Sequence, residues 1–292
     1  MTETMRLRAR ADASLDAARS ALTDPAALRV WLADNVEVDL PDRFAFWGPG
    51  TPGIEPRQRF LSADDRSLRF AWTVGGVETT VELAVSPGAD GTVVSVTHGG
   101  VPNWADAVAD ESSDLAILTT FWGLAIANLV EYLEGREPTP RPDYTSAEQR
   151  AEVTIGADPA AVYDSLMNPE VFRRWFGANL GVEPRVGGRW AMGGFDFPDH
   201  AARILELEPA RRVSMEWPDG MVSTWELAGS EGRTRLTFVQ SGFDAPPHTG
   251  WTGWLAGMVE LRRYHEVPGW RPLWIFHDLP GVPDDMTVVG TG

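Results

Sequence analysis

The sequence predicts an α+β protein written twice: two tandem units, each a curved antiparallel sheet wrapped on a long C-terminal helix. Three observations carry this. Residues 151–176 align with residues 7–32 at a constant offset of 144, so that Pro25 falls on Pro169, Trp31 on Trp175 and Leu22 on Leu166. Short stretches of apolar–polar alternation, cut by Gly, Asp and Pro turns, follow each copy. Each series closes on one long run of apolar residues at steps of three and four.

In residues 4–11, Leu7, Ala9 and Ala11 alternate with Arg6, Arg8 and Arg10, the pattern of a half-buried strand. Ser14 offers an N-cap to a helix with Leu15, Ala18 and Leu22 on one face. Asp24 and Pro25 end that helix and start a second, closed by Trp31. Short strands are expected at 43–46 and 58–63, around Leu68, Phe70 and Trp72, and, after the Gly75–Gly76 turn, at 77–85. Asp90–Gly91 turns the chain into a last strand with Val94, Val96 and His98 on one face, and residues 99–103 are expected as a loop. From about 112 to 134, Leu115, Leu118, Trp122, Ile126, Leu129 and Leu133 define the longest helix, with Gly135 beyond its end. Residues 1–136 are then a first domain, and 137–147, with three prolines, a linker.

Residues 148–266, the second domain, repeat the order. A strand at 152–155 precedes a helix capped by Asp158 and a short helix starting at Asn168–Pro169. The strand at 187–192 matches the one at Arg43, so Trp190 and Met192 match Phe44 and Phe46. Residues 202–208 pair with a strand bearing Val213, Met215 and Trp217. Trp225 and Leu227 lead to another turn, and Leu236, Phe238 and Gln240 share one face of the last strand. Trp251, Leu255, Met258 and Leu261 mark the final helix. The C-terminal extension, 267–292, carries Trp270, Trp274 and Phe276; it is too apolar to hang free and is expected to pack on a domain or across the interface.

The composition is that of a soluble protein. No apolar run is read as approaching the ~20 residues of a membrane span, and the N-terminus lacks the apolar core of a signal peptide; a cytoplasmic location is expected. There are no cysteines, which excludes disulfides and thiolate chemistry. All 25 basic residues are arginine, which excludes Schiff-base chemistry and a P-loop lysine. The net charge is −17 and both halves are acidic, which argues against nucleic acid and anionic membrane as partners and for a neutral or cationic small molecule. No cofactor is implied, and oligomeric state is not legible.

Certain residues carry a resemblance. They are the run Ala157-Asp158-Pro159-Ala160-Ala161-Val162-Tyr163, Asn168-Pro169 with Trp175, Gly187-Gly188-Arg189-Trp190, and Gly250-Trp251 opening the final helix. With these the chain resembles the START-like (SRPBCC, helix-grip) superfamily, and within it the branch named for the heat-shock-protein ATPase activator, over about residues 148–266. The first copy departs from the pattern, with Ala33-Asp34 where the family often has Gly and no glycine pair before Arg43. The resemblance implies helix-grip domains with a deep pocket under the terminal helix for a hydrophobic small molecule. Members include lipid carriers, polyketide aromatase/cyclases and antibiotic-resistance proteins. START-like proteins also occur in enediyne clusters, where one calicheamicin resistance protein is sacrificed by radical attack on its own backbone. The tandem copy and thirteen tryptophans make this chain most similar to such secondary-metabolism proteins.

Candidate ligand contacts follow from strand alternation. Trp72 and Trp217 sit at matching positions, Trp190, Met192 and Trp225 share the inner sheet face, and Trp122, Trp251 and Leu255 face them from the long helices. Such aromatic walls suit a flat polycyclic ligand, with a large aromatic core as the alternative. Trp175 is expected at the entrance. His98 and Gln240 each end an otherwise apolar inward triplet, where a polar group must be hydrogen-bonded or near water; a pocket rim supplies both. His248, after two prolines, is expected on a loop at the pocket edge. The histidines have no metal-ligand spacing, so no metal is expected. Gly187–Gly188 and Gly193–Gly194 read as bulges, or as points of close backbone approach to a ligand. Glu216 and Glu226 fall on the outer sheet face, and Asp196 has no partner in sequence that would make an acid–base pair. Three functions are therefore open: a binder of a polyketide- or enediyne-type product for self-resistance or biosynthesis; a polyketide cyclase, aromatase or dehydratase with His98 as its acid–base residue; and a co-chaperone.

Overall fold

The computed structural model describes residues 2–110, 113–147, 149–195, 201–242 and 249–281. Strand β1 (Thr2–Ala11) leads to α1 (Leu15–Ala21), whose first turn is capped by the Ser14 hydroxyl accepting from Ala17 N at 3.2 Å. Helix α2 (Pro25–Trp31) is capped in the same way by Asp24. A small two-stranded ribbon of β2 (Asn35–Asp39) and β3 (Arg43–Trp47) follows. Then come β4 (Gln58–Ala63), β5 (Ser67–Val74), β6 (Val77–Gly88) and β7 (Gly91–Pro102), an antiparallel meander whose last strand returns to β1. The expected loop at 99–103 is corrected here: β7 runs on to Pro102, paired with Thr2. A six-residue helix, α3 (Trp104–Ala109), precedes the long α4 (Asp114–Leu133), capped by Ser113.

The second half comprises β8 (Gln149–Ile155), α5 (Pro159–Met167), α6 (Pro169–Phe176), β9 (Leu180–Val182), β10 (Arg189–Met192), β11 (Ala202–Glu208), β12 (Arg212–Glu216), β13 (Val222–Ser230), β14 (Arg233–Ser241) and the long α7 (Thr249–Glu266). Its seven strands form one sheet in the order β8-β14-β13-β12-β11-β10-β9. The extension adds β15 (Trp274–Asp278), which pairs antiparallel with β1, so the first sheet reads β15-β1-β7-β6-β5-β4. The chain therefore crosses back from the second half to complete the first.

Helix α4 is long and apolar enough to cross a membrane, with a mean hydropathy of 1.4, against the expectation from sequence; 78% of it is buried inside the protein, as befits a core helix. It is sandwiched between the first sheet and α7. Gly123 lies opposite Ala256, and Gly253 opposite Thr120, small residues that let the two backbones approach. At the C-terminal ends of these helices the contact turns ionic. Glu131 is wholly buried and meets Arg262 at 2.5 Å, Arg263 at 2.6 Å and Arg136 at 3.2 Å. Arg263 also reaches Glu134, and Arg136 reaches Glu266. Each long helix ends by accepting a backbone N–H from just after its own half's first strand: Glu134 from Asp12 at 3.0 Å, Glu266 from Gly156 at 2.8 Å. Asp12 and Gly156 are again 144 residues apart. Glu260, buried on α7, holds the extension by accepting from Leu273 N at 2.6 Å and from Trp270 Nε1 at 3.2 Å, and burial pushes its carboxyl up to about 7.

Candidate functional site

The aligned stretches earn their likeness through one repeated hydrogen bond. Trp31 Nε1 donates to Ala21 O at 3.0 Å, and Trp175 Nε1 to Ser165 O at 2.8 Å, in each case across the two short helices. Both indoles are buried. Trp175 is therefore a fastener of the helix pair, not the ligand contact expected from sequence. The glycine pair before β10 is likewise structural: a side chain at Gly188 would run into the Glu183 carbonyl, and Gly188 itself takes up the N–H of Ile204 at 2.8 Å.

Beneath α4 the first half is filled. Phe44, Phe46, Phe70, Trp72, Phe121 and Trp122 form a chain of mostly edge-on or tilted ring contacts with centroids 5.0–6.1 Å apart. His98 is at its centre with 0% exposure. Trp122 Nε1, which can only donate, gives its proton to His98 Nδ1 at 2.8 Å. The ring proton therefore sits on Nε2, which donates to Thr79 Oγ1 at 2.8 Å, and the threonine hydroxyl passes its own to the Trp72 carbonyl at 2.7 Å. Burial pushes His98 down to about 3, so the ring stays neutral. The expectation of a rim histidine or an acid–base catalyst is corrected: both nitrogens are spoken for and no solvent reaches them. Trp122 is a core residue for the same reason, and Trp72 is buried beside it at 1% exposure. Trp72 Nε1 and Gln58 Nε2 have no partner. They stand on paired residues of β4 and β5, where one acceptor oxygen would answer both.

The second half places Gln240 where the first has His98. His98 pairs with Met5 and Gln240 with Gln149, and Met5 and Gln149 are 144 apart. Around Gln240 the inner face holds Trp190, Trp225, Phe238, Trp251 and Trp254. Trp225 stacks on Phe238 at 3.9 Å, Phe238 on Trp251 at 5.0 Å, and Trp254 lies 5.2 Å from Trp225 and 5.9 Å from Trp190. Leu255 is fully buried beside them. Trp190 Nε1 is taken by Leu166 O at 3.3 Å.

Here the polar groups are not closed. Gln240 Nε2 donates to Ser223 Oγ at 3.0 Å, and Trp217 Nε1 to the same oxygen at 2.8 Å. Gln240 Oε1 and Trp251 Nε1 have no partner among the described residues, although both residues are only 1% exposed. Trp217 and Met192, the counterparts of the buried Trp72 and Phe46, are partly exposed. The structure thus gathers Trp190, Met192, Trp217, Trp225, Gln240, Trp251 and Leu255 into one region. It leaves out Trp72, His98, Trp122 and Trp175. His248, Asp196 and His200 lie outside the described residues. Ser223 and Trp254 were missed from sequence; Ser223 was within reach, as the residue opposite Gln240 on β13.

Residues 156–265 match the family model of the activator of Hsp90 ATPase homolog 1-like proteins. This Hsp90-activator-like segment holds every residue of the gathered region. Among solved structures, protein CV1439 of Chromobacterium violaceum is 26% identical over 42% of this chain and 100% of its own, with a TM-score of 0.35. The Aha1 dimer of Colwellia psychrerythraea is 15% identical over 42% and 98%, with a TM-score of 0.37. DynU16, a protein of the dynemicin biosynthetic locus, is 17% identical over 90% and 99%, with a TM-score of 0.38. No curated protein matches the chain.

Two cavities stand out among the described residues, and neither lies between a sheet and its long helix. One, of about 10 Å3, is bounded by Trp31, Phe121 and Asn128. The other, of about 250 Å3, is an open cleft at the ionic seam, lined by Asp12, Glu134, Arg136 and Glu266. The deep pocket under each long helix implied by the resemblance is therefore absent in the first half, where rings fill the space. In the second half the described part of the region is an aromatic wall with two unanswered polar atoms. No group of three His, Asp or Glu residues that could hold a metal occurs among the described residues. Glu216 and Glu226 are ion-paired on the outer face with Arg203 and Arg212.

Proposed function

We propose that this protein binds a hydrophobic polycyclic small molecule, of polyketide or enediyne type, through the inner face of its Hsp90-activator-like half, to sequester or carry it. The observation behind this reading is the pair of buried, unpartnered polar atoms, Gln240 Oε1 and Trp251 Nε1, set in a wall of tryptophans, with Met192 and Trp217 partly exposed. Leaving such atoms unpaired inside a protein costs about 1–3 kcal/mol each, and a ligand that answers them recovers that cost. The rings supply the rest of the affinity through apolar burial, at about 25 cal/mol per Å2. The first half, where both ring nitrogens of His98 are answered and aromatic rings fill the space under the long helix, serves as a scaffold. Titration with aromatic polyketides and enediynes should quench tryptophan fluorescence and raise the melting temperature. No change in either at high micromolar concentration would overturn the reading.

A cyclase or dehydratase is not favoured, because His98, its expected acid–base residue, is sealed and neutral. The co-chaperone reading rests on the name of the matched family alone.

A further inference from the structure

If the second half holds the ligand, its geometry points to the chemistry of the ligand's buried end: we infer a hydroxyl on the edge of a flat ring system, donating to Gln240 Oε1 and accepting from Trp251 Nε1. The argument is one of matching capacities. An indole nitrogen can only donate and an amide oxygen can only accept. The other end of the Gln240 amide is committed to Ser223, whose oxygen also receives Trp217, so the glutamine is held with its oxygen free. Phe238 lies two residues before Gln240 on the same strand face and stacks against Trp251, so both unanswered groups belong to residues that flank Phe238.

A hydroxyl is the smallest group that serves both. An ether or ketone oxygen answers the indole and leaves the amide oxygen bare. An amine cation answers the amide oxygen and leaves the indole N–H unpaired. A hydrocarbon answers neither. The first half shows what an answered position looks like: there His98 accepts from Trp122 through its own side chain and passes the proton chain on to Thr79.

The test compares three flat tricyclic probes of nearly one shape: 9-phenanthrol, 9-methoxyphenanthrene and phenanthrene. Each is titrated into the full chain by calorimetry. The phenol should bind about tenfold or more tighter than either of the others, since each buried group left unpaired costs that order of affinity. In Gln240→Leu the order should collapse, with phenol and hydrocarbon binding alike. Trp251→Phe keeps an aromatic ring on Phe238 and removes the N–H with part of the indole, a loss of area that all three probes share, so it should still narrow the phenol's advantage over the hydrocarbon even if the leucine variant misfolds. Equal binding of all three probes by the wild-type chain would overturn the inference while leaving the ligand-binding reading in place; that is also the result if a retained water, which has the same two capacities, serves the pair. A methoxy probe as tight as the phenol would overturn it too, because Gln240 would then be presenting its NH2. Binding of none of the probes or of the wider polycyclic panel would remove the reading itself.

Discussion

His98 and Gln240 stand at equivalent places in two similar sheets. Each lies on the strand that pairs with its half's first strand, points inward, and has a tryptophan of the long helix above it. In the first half the side chains answer one another: Trp122, His98, Thr79 and the Trp72 carbonyl form a continuous series of hydrogen bonds. In the second half the glutamine turns to Ser223, and its oxygen and the Trp251 N–H are left over. A position that the first copy uses to close its core is left chemically open in the second. The difference lies in one residue and what surrounds it, and it is what puts the proposed ligand site in the second half.

The premise that one half supports the other can be broken at the seam. Glu131→Ala leaves Arg262 with no carboxylate and Arg263 with only Glu134, and should cost about 3–5 kcal/mol. Urea unfolding should show a single shifted transition seen by all probes; two separate transitions would mean that the halves stand independently. His98→Leu should cost about 2–3 kcal/mol, because it strands the Trp122 N–H in an apolar core and takes away the donor to Thr79 Oγ1.

The same variant tests protonation. His98 is held below its unfolded value of 6.5, down to about 3. As pH falls below 6.5, the unfolded chain takes up a proton that the folded chain refuses. Stability is thus lost toward acid, at about 1.4 kcal/mol per pH unit, or about 2 kcal/mol by pH 5. Glu260, with its carboxyl raised to about 7, works in the opposite sense: its contribution is present below 4.5 and lost as pH rises toward 7. The difference between wild type and His98→Leu isolates the histidine; equal acid sensitivity of the two would show that the ring is not buried neutral.

Smaller effects sharpen the comparison. Trp31→Phe and Trp175→Phe each remove one equivalent hydrogen bond and leave a similar small cavity, so they should cost the same, about 2 kcal/mol, with ligand affinity untouched. A loss of binding in Trp175→Phe alone would return that residue to the site. Gln240→Leu should change stability by about 1 kcal/mol or less, since it gives up one hydrogen bond to Ser223, whose oxygen keeps Trp217, and discards a buried oxygen with no partner among the described residues. A cost as large as that of His98→Leu would mean the second position is closed after all.

Much of the fold was legible because it rests on local signals. Caps at Ser14 and Asp24, strand alternation and the 144-residue offset placed the helix pairs and most strands. What escaped lacked such signals. Strand β2, NVEVD, has too few apolar residues to show a pattern, β9 is only three residues long, and α3 is less than two turns. Strand β15 is extended because β1 offers it an edge, a tertiary cause that no local pattern carries. The site was half legible for a related reason. Alternation correctly turned His98 and Gln240 inward, but whether an inward polar group is answered depends on residues 24 and 19 positions away for His98, and 17 away for Gln240. Periodicity reports direction; it does not report company.

The pairing of β15 with β1 also sets a schedule. A ribosome delivers β1 long before residues 274–278, so the nascent first sheet must wait with one edge bare until the whole second half has emerged. A bare strand edge invites pairing with other chains. The alternation of Arg6, Arg8 and Arg10 along β1 puts three like charges beside that edge during the wait, and like charges on a strand are a recognised guard against such pairing. Once the last strand arrives, Arg6 meets Asp278 at 3.3 Å, and one of the guards becomes a fastening.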